Sequence, residues 1–246
     1  SGRSLLAQSL TAHSSYRALP TQVSAIKHAH SPYCYRCPFK LSSDSCGMEC
    51  AKDVDELIKT TTTGKIAGML VEPIQGVGGF ITPPDEYFQI VSDIVRKYDG
   101  IFISDEVQTG FGRTGKTWGI DHSGVEPDMI TTAKGIANGM PLAAVVTKTE
   151  IASAIDKNTI STFGGNPVSC AAANKTLEIM ERDNLADNSE EMGALLFEGL
   201  NRIQGDHPEL IGDIRGKGLM VGVELVVDET AKDRTPNSKA VDQLLE

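Results

Sequence analysis

Four short apolar runs, "IAGMLVEPI", "IFISDE", "DMITTA" and "LAAVVTK", recur between residues 66 and 148. Each is too short for a stable helix, and near-continuous apolar character is the mark of strands buried in a sheet covered on both faces. Between the first two lies "PDEYFQIVSDIVRKYDG", with apolar residues at 88, 90, 91, 94 and 95. That spacing predicts an amphipathic helix, opened by Pro84 and Asp85 and stopped at Gly100. "DVDELIKTTTTG" predicts an earlier helix ending near Gly64. Strands alternating with helices predict an α/β fold, a sheet flanked by helices. Residues 1–50 lack such a pattern and read as loop-rich.

The texture changes after "STFGGNPVS". "NPVSCAAANKTLEIMERDN" and "LADNSEEMGALLFEGLNRIQG" read as two helices parted near Asp183 and Asn184, and "DIRGKGLMVGVELVVD" as a glycine-punctuated turn with a strong strand. The tail ends in what reads as the start of a helix. The expected division is a large unit over residues 1–170 and, over 171–246, connecting helices with the start of a smaller α+β unit. There is no internal repeat and no low-complexity segment.

At 246 residues the chain can bury a substantial core. Its formal charge of −10 argues against a nucleic acid or an anionic membrane as partner, since both reward clustered Lys and Arg. No apolar run approaches the length of a membrane span. Residues 1–10 lack the apolar core of a secretory signal and do not begin with Met, so the sequence reads as the interior of a longer chain.

Three features could carry chemistry. The first is "IFISDEVQTGFGRTG", where Asp105 and Glu106 stand at a strand end. Ligands of open α/β sheets bind beyond the carboxyl ends of strands. Neighbouring strand residues point to opposite faces, so only one of the two acids is expected to face a given site. Gly110, Gly112 and Gly115 spell a dinucleotide fingerprint, but residues 106–109 separate it from the strand and no helix follows, so that reading is rejected.

The second feature is Lys134 in "TTAKGIANGMP", 29 residues after Asp105 and also at a strand end. On pattern alone a surface lysine is the commoner explanation. A lysine in a partly apolar pocket, however, becomes a usable amine nucleophile. Pyridoxal phosphate needs such a lysine together with an acid for its ring nitrogen.

The third is a group of four of the five cysteines: Cys34, Cys37, Cys46 and Cys50, spaced C-x2-C, eight residues, C-x3-C. Four thiolates could bind zinc, but the intervening loop is shorter than in common zinc fingers. Free thiols or a disulfide in a cysteine-rich excursion are the favoured alternative. Cys170 stands apart on an expected helix as a small core residue.

The stretches "VEPIQGVGG", "SDEVQTGFGRTG", "TTAKGIANGMPLAAVV", "STFGGNPVSCAAA" and "DIRGKGLMVGVE" resemble, in order and spacing over residues 2–227, the class III aminotransferases of pyridoxal-phosphate fold type I. The large-domain motifs are most similar to the alanine–glyoxylate aminotransferase 2 type and to 4-aminobutyrate-type members. The "YCYRCPF" and "CGMEC" loop is similar to one in microbial members.

The resemblance implies a mixed, mostly parallel sheet, pyridoxal 5'-phosphate as cofactor, and roles for particular residues. Lys134 would form the Schiff base and move the proton at the substrate α-carbon. Asp105 would pair with the ring nitrogen, Val107 would pack on the ring, and Gln108 would hydrogen-bond its phenolic oxygen. Thr162 would reach the phosphate in the neighbouring subunit's site, making a homodimer the working unit. Glu72 would orient its neighbours or simply belong to a structural network. Arg113 and Arg215, each among glycines, are expected to brace turns.

Val77 departs from the glutamate that ω-amino-acid members commonly carry after "EPIQG". This favours α-amino acids such as alanine, with glyoxylate or pyruvate as acceptor. The arginine for the substrate carboxylate is expected beyond Glu246, and the phosphate loop and ring-stacking aromatic residue before Ser1. The alternatives are a 4-aminobutyrate or other ω-amino-acid aminotransferase, or a racemase or decarboxylase sharing these motifs. A further one is a non-enzymatic relic that binds partners through the cysteine loop. Free thiols and acidic charge suit the cytoplasm, with the mitochondrial matrix the alternative for a eukaryotic source.

Overall fold

The computed structural model of the protein describes residues 2–18 and 22–245. A short helix, α1 (Leu5–Leu10), is capped by Ser4, whose Oγ accepts a hydrogen bond from the Ala7 amide at 3.2 Å. The next helix, α2 (Glu49–Thr61), starts four residues before the expected Asp53. Its added turn places Glu49 at the positive end of the helix dipole and buries Ala51 completely.

Helix α3 (Tyr87–Lys97) follows the predicted apolar stripe, burying Tyr87, Phe88, Val91, Ser92 and Val95. It packs on α2 and on the central strand, where Phe102 meets Phe88 edge-on at 6.5 Å between ring centroids. Ala51, Val54, Ile58, Val91, Val95 and Phe102 form the centre of the core.

The first sheet has strand order β1 (Gly68–Val71), β2 (Ile101–Asp105), β3 (Met129–Thr132), β4 (Ala144–Thr147). The first three run parallel and β4 returns antiparallel to β3, so the sheet is mixed and mostly parallel. Burial differs from the expectation of strands covered on both faces. In β2 it alternates, with Phe102 and Ser104 buried beneath the helices and their neighbours only half-buried. In the edge strand β4, Val145 and Val146 are 61% and 54% exposed. Helices α2 and α3 account for one face of this sheet, which is why an apolar sequence does not translate here into two-sided burial.

Beyond β4 come a single turn of helix, α4 (Thr149–Ala152), and then α5 (Pro167–Arg182) and α6 (Leu185–Asp206). Asn166 caps α5 by accepting the Ser169 amide at 3.0 Å, with Pro167 in the first turn where its missing N–H costs nothing. Asn184, in the left-handed region at φ 49°, separates the two long helices. A second, antiparallel sheet is built from β5 (Ile211–Lys217), β6 (Met220–Asp228) and β7 (Asp233–Pro236), and α7 (Ser238–Leu245) follows it. Arg215 ties this sheet to the turn after β1: its Nε donates to the Gly79 carbonyl at 2.8 Å while the guanidinium pairs with Asp213 and Glu224. Arg113 contributes to the same seam through its carbonyl, which accepts from the Leu219 amide at 3.0 Å.

Cys34, Cys37, Cys46 and Cys50 line one surface cavity with Phe39 and Met48, and all four are free thiols. Among the described residues no three His, Cys, Asp or Glu side chains are arranged to hold a metal, so the zinc alternative gains no support. Burial, with the nearby Cys34 and Cys46, pushes the Cys50 thiol up to about 11, which favours the neutral form. Cys170 is half-buried on α5. No described helix is long and apolar enough to cross a membrane.

Candidate active site

Because β1, β2 and β3 are parallel, their carboxyl ends lie along one edge of the sheet, and that edge collects the candidate side chains. Glu72 follows β1, Asp105 ends β2, and Lys134 stands two residues beyond β3. Asp105 pairs in register with Thr131, and the Glu106 amide donates to the Thr131 carbonyl at 2.9 Å. Those contacts fix the carboxylate relative to the strand that leads to the lysine.

Lys134 opens a 3-10 turn, Lys134–Ala137, with φ at 44°. A side chain with a Cβ resists this left-handed backbone by about 1–2 kcal/mol, and such strain concentrates at functional sites. Asn138, also at φ 44°, closes the turn, and α5 packs against it. The lysine is exposed, in contrast to the partly apolar pocket expected for it. Its ammonium forms no hydrogen bond or close ion pair with any described residue.

One oxygen of Asp105 accepts the Val107 amide at 3.1 Å, turning the chain sharply after the strand. The other has no partner among the described residues. Glu72 accepts the Gly76 amide at 2.8 Å. Burial raises its carboxyl above the ordinary glutamate range, against that amide bond, with nearby Asp105 adding to the rise and Lys134 opposing it. Glu72 is therefore within electrostatic reach of both the strand-end acid and the strand-end amine. Gly76 packs directly on the Gln108 amide, where a Cβ would lie 2.6 Å from Cδ. The structure thus assembles Glu72, Gly76, Asp105, Gln108 and Lys134 at one edge, with Val107 half-buried beside them.

Thr162 is exposed and bonded to no other described residue of this chain. Val77 is 45% exposed in the turn closed by the Gln75–Ile81 bridge. The three glycines of the rejected fingerprint lie in turns, with Gly112 and Gly115 at φ 81° and 93°, and no helix opens among them. The sequence alone assigns no part to Gly76 or Glu106. The pair Asp105–Glu106 with its opposite-facing side chains was the available signal for the latter; Gly76 gave none, since its role depends on a contact with a residue 32 positions away.

The family described as "Aminotransferase class-III" matches residues 1–246. The chain belongs to the class-III aminotransferases. It is 46% identical over 209 residues to "Alanine--glyoxylate aminotransferase 2 homolog 2, mitochondrial" of Arabidopsis thaliana, an alignment covering 85% of this chain and 43% of that protein. It is 41% identical over 224 residues to the "Leucine/methionine racemase" of Thermococcus litoralis, covering 89% of this chain and 49% of the racemase. Among solved structures it superposes on the omega transaminase from Pseudomonas jessenii in complex with PMP with a TM-score of 0.86 at 30% identity, covering 96% of this chain and 54% of the other. The chain thus spans about half the length of the relatives it matches. Its fold is that of the pyridoxal-phosphate-dependent transaminases.

Class-III aminotransferases are pyridoxal-phosphate enzymes, and the donor set at this edge fits that group. An uncommitted primary amine, a carboxylate with one oxygen free, and a side-chain amide stand at adjacent strand ends. These are the group types required for an aldehyde, a pyridinium nitrogen and a phenolic oxygen.

Proposed function

We propose that this chain carries the catalytic edge of a pyridoxal-phosphate-dependent aminotransferase, moving an amino group from an alanine-like donor to glyoxylate or pyruvate. The reading rests chiefly on one observation: a Lys134 amine uncommitted among the described residues shares the carboxyl edge of the parallel strands β1, β2 and β3 with Asp105, Gln108 and Glu72. The family match and the alanine–glyoxylate relative support it.

Pyridoxal phosphate, when bound, supplies an electron sink for the carbanion left when the substrate α-carbon loses its proton. Lys134, whose amine has no hydrogen bond or close ion pair among the described residues, would take that proton and return one. Asp105 would hold the ring nitrogen and keep it protonated, Gln108 would donate to the phenolic oxygen, and Val107 would pack on the ring. Glu72 holds the Gly76 amide and through it the turn that backs Gln108. The cycle is ping-pong: the donor leaves as a keto acid before the acceptor keto acid enters. Thr162 completes the site of a second subunit, and its exposure in the single chain is consistent with that. The division near residue 170 and a cytoplasmic location belong to the same proposal. Val77 in place of a glutamate supports an α-amino-acid donor over an ω-amino acid.

A second reading, amino-acid racemisation, is favoured by the 41% identity to a racemase and uses the same Lys134 chemistry. Single-turnover incubation with a keto acid separates the two. The holoenzyme, preloaded with amino groups by alanine, should release a new amino acid stoichiometric with its sites. Interconversion of alanine enantiomers without any new amino acid would establish the racemase and remove the aminotransferase reading.

A further inference from the structure

We propose that Glu106, the acid beside Asp105, is a positioning residue for the cofactor-binding turn; this rests on the function proposed above. Its side chain is completely buried and hydrogen-bonded to the buried Ser104, on the side of the strand opposite the half-buried Asp105. Four donors surround its carboxylate. One oxygen accepts from Ser104 Oγ at 3.1 Å and from the Ile120 amide at 2.9 Å. The other accepts from Thr109 Oγ1 at 2.5 Å and from the Gly119 amide at 2.8 Å. A carboxylate has about four acceptor positions, so this one is filled.

The backbone of the same residue is committed as well. Its amide donates to Thr131 of β3, and its carbonyl accepts from Gly110 at 3.0 Å. Glu106 thereby joins three segments: the strand leading to Lys134, the turn that carries Val107 and Gln108, and the 3-10 turn Gly119–Ser123. A buried carboxylate left short of its donors is costly, so displacing any one of these segments disturbs the others through Glu106. Thr109 reinforces the joint, because a Cβ on Gly119 would lie 2.6 Å from its own Cβ. The consequence is directional. Asp105 faces the site while its neighbour, on the opposite side of the strand, sets where Val107 and Gln108 stand.

Glu106→Gln tests this with little change of shape. If the amide nitrogen replaces the oxygen facing Thr109, it meets the Gly119 N–H; if it replaces the other, it meets the Ile120 N–H. The hydroxyls of Thr109 and Ser104 can rotate to accept, but a backbone N–H cannot, so either orientation sets donor against donor. The readouts are pyridoxal phosphate affinity by absorbance titration of the apoprotein, the pH midpoint of the bound cofactor's visible band, and Tm. We expect affinity to fall at least tenfold and the pH midpoint to move, because the groups at the ring nitrogen and phenolic oxygen are displaced. A lower Tm with affinity and midpoint unchanged would show a purely structural role and overturn the proposal.

Should Glu106→Gln not fold, Thr109→Val and Thr109→Ser serve instead. Valine should weaken cofactor binding and serine should restore it, whereas equal affinity in both and in the parent overturns the proposal. Parent protein that takes up no cofactor through Lys134 would instead refute the functional reading, and this inference with it.

Discussion

Gly76→Ala should damage cofactor binding while leaving the fold almost untouched. The new Cβ would lie 2.6 Å from Gln108 Cδ and 2.8 Å from its Oε1. Carbon contacts settle near 3.5–4.0 Å, so the amide must retreat by about 1 Å. The obstructed atoms are the end of a flexible side chain, and Gly76 is not in the left-handed region, so its backbone accepts alanine. Unfolded-chain entropy even favours the substitution by about 0.4–1 kcal/mol. Tm should therefore stay within a few degrees of the parent. Under the proposed function, the displaced Gln108 would lose the hydrogen bond assigned to it with the cofactor's phenolic oxygen, which in a charge-assisted case is worth about 1.5–3 kcal/mol. That corresponds to roughly 10- to 150-fold in affinity. Absorbance titration of the apoprotein with pyridoxal phosphate measures it. The decisive comparison is a double-mutant cycle, since groups acting through one another are not additive. In a Gln108→Ala background, Gly76→Ala should cost almost nothing further. An equal loss in both backgrounds, or no loss in the parent, would refute the reasoning that Gly76 acts by giving Gln108 its place.

Two further perturbations follow from the core and the electrostatics. Phe102→Ala, at a completely buried position between the sheet and α3, should destabilise the chain by about 3–5 kcal/mol, read by denaturant unfolding; a loss below about 1 kcal/mol would mean that the core is not centred there. Glu72→Gln should raise Tm near neutral pH. Burial raises the Glu72 carboxyl above its unfolded value, so the folded state holds the proton more tightly, and stability declines as pH rises from the ordinary glutamate range to the raised one. Glutamine keeps an acceptor for the Gly76 amide and removes that decline, so the two proteins should converge at acid pH and separate above it. Parallel Tm–pH curves would show that Glu72 is not held out of its ordinary range.

The arrangement of Asp105 and Lys134 was legible because each closes a short apolar run, and a parallel sheet sends all such closures to one edge. The amphipathic stripe of α3 and the break at Asp183 and Asn184 were equally local signals. What the sequence did not reveal depends on distant contacts. The exposure of β4 was hidden by its apolar residues, which read as a buried strand; the described core helices α2 and α3 pack instead on β2 and its neighbours. The extra first turn of α2 owes its place to Ala51 packing into the core. The cysteine spacing left a metal tetrahedron open, and only the folded loop shows that the thiols line a surface cavity. Glu106 looked like half of an acid pair; its four donors come partly from residues 119 and 120, which nothing in the local sequence connects to it.

The central claim is that Lys134 is the amine that engages the cofactor. Borohydride treatment of the pyridoxal-phosphate-loaded protein, followed by proteolysis and mass spectrometry, tests it most directly, because reduction fixes the cofactor to whichever lysine holds it. A pyridoxyl group is expected on the peptide containing "TTAKGIANG" at Lys134, in stoichiometric yield, with its loss in Lys134→Ala. A label on another lysine, or equal labelling of the parent and Lys134→Ala, would contradict the account.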